Sequence, residues 1–188
     1  MAVAVSLLTS GSDTVDASSF LTASVTPGAD RLLLLWVFNA DTAGTAATPT
    51  ASGNGLTWVQ INTQLHTNTL KRLTMFRTMG AAPSAGAVTI DFAGDTQNTC
   101  SWILHEYTGM DTTGTNGSGA IVQFAGESNA AATSATIDLA AFASADNATT
   151  GGLMHATNEA TTAGAGFTIY GDVSLPPGTV AAEFRTDN

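Results

Sequence analysis

The chain has 188 residues, 44% of them hydrophobic and only 11% charged, less than half of the roughly 25% usual for soluble domains. Its formal net charge is −10, from 5 basic and 15 acidic residues. A field of that sign repels phosphates, so neither a nucleic-acid binder nor a protein held to an anionic membrane surface is expected.

In chain order, the opening MAVAVSLLTSGSD lacks a basic n-region, and its apolar run is too short for a signal peptide. The expectation is a soluble protein made in the cytoplasm. Residues Ala4–Ser10 and Ser19–Thr26 are candidate strands, and Pro27-Gly28 is a turn signal. Arg31–Asn39 (RLLLLWVFN) is apolar without alternation, as in a central strand with both faces dry. Gly53-Asn54-Gly55 carries the Asn-Gly pair that favours a hairpin, because both residues tolerate positive φ.

Strands are expected next at Leu56–Gln64, Leu70–Thr78, Ala87–Phe92 and Cys100–Tyr107. In Ala87–Phe92 the period is two: Val88, Ile90 and Phe92 face one way, Thr89 and Asp91 the other. Gly80–Gly86 can continue neither of its flanking strands. After a Gly/Thr loop come shorter runs at Ala120–Ala125, Thr133–Leu139, Gly151–Thr157, Gly166–Gly171 and Val180–Arg185, the last two joined by Pro176-Pro177-Gly178. No helix with caps stands out, although Ala140–Ala145 has the composition for a single turn. About ten or eleven strands at this spacing specify an all-β chain: one domain, a two-sheet antiparallel β-sandwich, jelly-roll-like.

Chemistry is sparse. Cys100, the lone cysteine, reads as a small buried hydrophobe. His66, His105 and His155 have no metal-ligand spacing, and the adjacent His105 and Glu106 face opposite sides of one strand. Asp13 with Asp16, and Asp91 with Asp95, lack the D-x-D-x-D-G pattern of a calcium loop and read as solvated acids. There is no G-x-S-x-G elbow, and Gly114-Thr115-Asn116-Gly117 is no phosphate cradle. The expectation is a non-enzymatic chain with no cofactor and no metal.

Two candidate surfaces remain. Lys71, Arg72 and Arg77 gather three of the five basic groups in one strand. They suit either a charge-protected edge or a contact with an acidic partner. Trp36 and Trp102 belong to the core, while Trp58 and Tyr107 are candidates for stacking on a sugar ring.

The strings GNGLTW, RLTMFRTMG, P-x-A-G-A-V-T-I-D-F and C-x-W-x-x-x-E-Y-x-G-M-D resemble a family of β-sandwich proteins of tailed bacteriophages and prophages. The resemblance spans roughly Gly28 to Gln123, about half the chain, and rests on core and turn residues, so it carries over no functional residue. It implies a virion component: a head decoration (cement) protein on the major capsid protein or another virion protein, with a homo-oligomer, a trimer foremost, as the expected assembly. The alternative is a carbohydrate- or receptor-binding module of a tail fibre.

Overall fold

Leu32–Ala40 is buried at all nine positions, and the computed structural model shows what covers each side. The model describes residues 2–129, 132–144, 146–155, 157, 159–175 and 178–185. Its strands are β1 (Ala4–Asp13), β2 (Ser19–Leu21), β3 (Leu32–Ala40), β4 (Thr50–Gly53), β5 (Val59–Leu65), β6 (Lys71–Thr78), β7 (Val88–Asp91), β8 (Thr99–Thr108), β9 (Thr149–His155), β10 (Thr168–Leu175) and β11 (Gly178–Arg185). No helix occurs among the described residues.

The central sheet has the order β1-β8-β3-β6-β5, and two three-stranded sheets, β2-β7-β4 and β10-β11-β9, accompany it. All pairings are antiparallel. Alternate residues of β3 enter two separate cores. Leu32, Leu34, Trp36 and Phe38 meet Met75, Ile103 and Tyr107 of the same sheet, and Val180, Ala182 and Phe184 of β11. Leu33, Leu35 and Val37 meet Phe76, Trp102 and Leu104, and also Phe20, Val88, Ile90 and Phe92 beside or within β2-β7-β4. Each fully buried Leu, Val or Phe contributes about 1.5–3 kcal/mol. A middle layer collects that contribution at every residue, which is why β3 shows no alternation. The all-β, antiparallel, sandwich-like expectation holds, and the structure adds a third sheet to the two expected.

β7 follows its period: Val88 and Ile90 are buried, while Thr89 and Asp91 are half-buried. The Gly53-Asn54-Gly55 turn differs from expectation. Asn54 and Gly55 do take positive φ, 56° and 64°. Yet β4 pairs with β7, and β5 pairs with β6, so the turn carries the chain between layers and closes no hairpin. The Asn54 side-chain amide donates to the carbonyls of Ser84 (3.1 Å) and Gly86 (3.0 Å), fixing the Gly80–Gly86 connector.

Other boundaries shift. β2 keeps three residues of the expected eight, with Val25 making only an isolated bridge to Gly86. Residues 120–125 and 133–139 form no strand. Their alternation chooses a face but finds no free ladder. Instead the Gln123 side chain donates to Ala140 O (2.8 Å) and accepts from Ala140 N (3.1 Å). β10 and β11 are antiparallel neighbours, but Pro176 and Pro177 lie outside the described residues.

Candidate partner-binding surface

The three cations do not form a patch. β6 lies between β3 and β5, so it is an interior strand, and the protected-edge reading is corrected. Period two sends Arg72 to the face opposite Lys71 and Arg77. Lys71 is buried, and burial lowers its pKa. Arg72 Nε donates to Ala46 O (2.9 Å) and its Nη1 to Thr63 Oγ1 (3.1 Å). Arg77 Nη1 donates to Thr115 O (3.1 Å) and Asn116 O (2.5 Å). Both guanidinium groups satisfy loop carbonyls of their own chain, which an apolar side chain would leave bare. Sequence spacing brought the three charges together, and the pleat divides them.

The aromatics are likewise corrected. Tyr107 is buried; its hydroxyl meets Thr150 Oγ1 (3.0 Å), and its ring stands edge-on to Phe184, centroids 5.4 Å apart. Burial pushes its pKa up. No sugar can stack there. Trp58 is half-buried against the second core, with Nε1 donating to Gly53 O (3.3 Å). Trp36 and Trp102 are core residues, as expected.

His105 and Glu106 do face opposite ways. The Glu106 carboxylate accepts from Gly28 N (2.6 Å) and pairs with Arg31 (2.6 Å), tying the turn before β3 to β8. The sequence offered Glu106 only as half of an acid–base pair; the Pro27-Gly28 turn, with its orphan N–H, was the signal for this anchoring role. Cys100 is fully buried, and burial raises its pKa, so it is no nucleophile. Asp13, Asp91 and Asp111 each accept from the backbone N–H two residues on, the Asx-turn geometry. Among the described residues no three His, Cys, Asp or Glu side chains converge as metal ligands.

His105 makes the site of a pH effect. Its Nε2 faces Tyr170 O at 3.1 Å and must carry the proton, while buried Nδ1 has no partner. Burial therefore lowers its pKa. As pH falls through about 6.5 the unfolded chain takes up a proton that the folded chain refuses. Stability is lost on that descent and is unaffected above it. The loss at pH 5.5 relative to pH 7.5 cannot exceed about 1.4 kcal/mol from this group. In urea unfolding, His105→Gln, which keeps a donor for Tyr170 O, is expected to remove that part of the slope. An unchanged slope, with His66 and His155 present in both proteins, contradicts the assignment.

Apolar groups project into solvent at Leu7, Val15 and Leu21 and along the segment between β8 and β9. Between β8 and β9 the described residues form an arm without strands, tied to β6 by Arg77 at Thr115 and Asn116 and folded on itself by the Gln123–Ala140 clasp. Gly126 lies against the Asn62 and Gln64 side chains, so the arm passes beside β5. A cleft of about 260 Å³ separates arm from sheet, with Leu34, Ile61, Met75, Tyr107, Ile121 and Phe142 in its walls. Along the arm Val122 is 65% exposed, Phe124 59% and Ile137 44%. Comparison with protein-family models, with curated proteins and with solved structures finds no match.

Proposed function

We propose that this chain is a non-enzymatic structural subunit of a tailed-bacteriophage particle, a head decoration protein that docks on the major capsid protein or another virion protein. The observation that carries the reading is the arm: Val122, Phe124 and Ile137 are exposed on a segment that Arg77 ties to the sheet at Asn116. Apolar side chains so placed favour a surface that covers them. The low charge of the chain suits such a contact, since every charge buried at an interface needs a partner. The resemblance of the central motifs to phage β-sandwich proteins supplies the setting. Many copies on a lattice would make a modest contact sufficient. The glycan-binding alternative retains only Trp58, now that Tyr107 lies in the core.

Mass spectrometry of purified particles tests the reading. The protein is expected in intact virions at a fixed ratio to the major capsid protein. A Val122→Asp/Phe124→Asp variant is expected to fold and yet be missing from particles. Absence of the native protein from intact particles defeats the reading.

A further inference from the structure

The central sheet has two outer edges, treated differently. The arm runs beside β5, where Gly126 meets the Asn62 and Gln64 side chains. The β1 edge is bare: β1 pairs with β8 on one side, and among the described residues the backbone of residues 4–12 makes no hydrogen bond to any other segment. It is also the longest edge strand, at ten residues. Edge strands are ordinarily guarded by Lys, by Pro or by covering loops. β1 has neither residue; β10 packs near it, but no described segment hydrogen-bonds to its outer edge. Its one irregularity is the bulge at Leu8, after which Thr9 to Asp13 runs in unbroken register with Leu104 to Cys100.

We infer that the outer edge of β1 pairs antiparallel with the same strand of a second copy of this chain, joining two five-stranded sheets across a two-fold axis near Ser10. A strand that meets its own copy antiparallel forms a closed, self-complementary contact, and each main-chain group facing outward gains a partner. Charge permits the contact. The chain carries −10 overall and repels its copies, but from Ala2 to Ser12 there is no charged side chain. With Ser10 near the axis, Asp13 falls opposite the exposed, apolar Leu7 of the copy, away from the other Asp13. The inference stands apart from the virion reading, because it concerns the isolated protein in solution.

Sedimentation equilibrium up to high micromolar concentration is expected to give a mass twice the 19.0 kDa of one chain. Both positions are exposed: Ser10→Lys places two like charges at the axis, and Ser12→Lys sets a bulky cation opposite Leu8 of the copy. Each is expected to return the monomer mass with an unchanged far-UV circular dichroism spectrum. Ser10→Cys, on a chain whose Cys100 is fully buried, is expected to form an intermolecular disulfide under mild oxidation. A native chain that stays monomeric throughout overturns the inference. So does an oligomer that survives both lysine substitutions, or one in which Ser10→Cys fails to cross-link, because the contact then lies elsewhere. Should the lysine variants misfold, the cysteine cross-link alone decides.

Discussion

Gly152→Val is expected to lower stability by about 3 kcal/mol or more, at the upper end of overpacking costs. Gly152 lies in β9 opposite Ala182 of β11, on the sheet that covers Trp36. A Cβ built at Gly152 lands on the Trp36 indole, with Cδ2 only 2.6 Å away. Trp36 is 8% exposed and held between layers, so it cannot swing clear. Either the indole leaves its rotamer or the β10-β11-β9 sheet lifts from the middle layer. For a chain of this size the midpoint of thermal unfolding should fall by about 6–12 °C. Gly86→Ala serves as the control, since a Cβ there meets nothing within 4 Å. In a Trp36→Ala background the penalty of Gly152→Val should shrink by more than half. An undiminished penalty would show that the two residues are not in contact.

The second large effect is an asymmetry. Arg31→Ala is expected to cost about 2–4 kcal/mol, and Glu106→Gln only about 1–2 kcal/mol. The Glu106 side chain is 5% exposed, whereas that of Arg31 is 46% exposed. Removing the arginine leaves a buried carboxylate with the Gly28 N–H as its remaining partner. Replacing the glutamate releases a guanidinium that already reaches water, and glutamine keeps an acceptor for Gly28. The half-exposed arginine places both figures below those of a fully buried pair. Urea unfolding of the two variants measures the difference; equal costs or a reversed order would sink the account.

The parts of this fold that sequence makes legible are those where a side chain's environment repeats at the pleat. The unbroken run of β3 announces two dry faces, and Val88, Ile90 and Phe92 announce one. The third layer is harder to read because its strands are thinned by glycine. Gly152 and Gly171 lack side chains where Trp36 and Ile103 press closest, so the tightest packing leaves the weakest apolar signal. The site readings failed for a related reason. Period two assigns Tyr107 a face, but in a middle layer neither face is wet. Likewise Lys71, Arg72 and Arg77 are neighbours in sequence, while alternation turns them to opposite sides of β6. Nothing local says that the Gly53-Asn54-Gly55 turn joins strands of different sheets, because β7 and β6, which receive those strands, both lie further downstream.

The pairing of β1 with β8 sets Ala4 beside Thr108. During synthesis β1 must therefore wait for β8, which begins only at Thr99, before its neighbour exists. The β5-β6 and β3-β6 pairs can zip up much earlier, so the middle sheet grows from its far side and is closed last by its oldest segment. Such long loop closure makes folding slow, on the scale of milliseconds to seconds. Throughout that interval a strand whose one charge is Asp13, with β8 not yet alongside it, is exposed to other nascent chains.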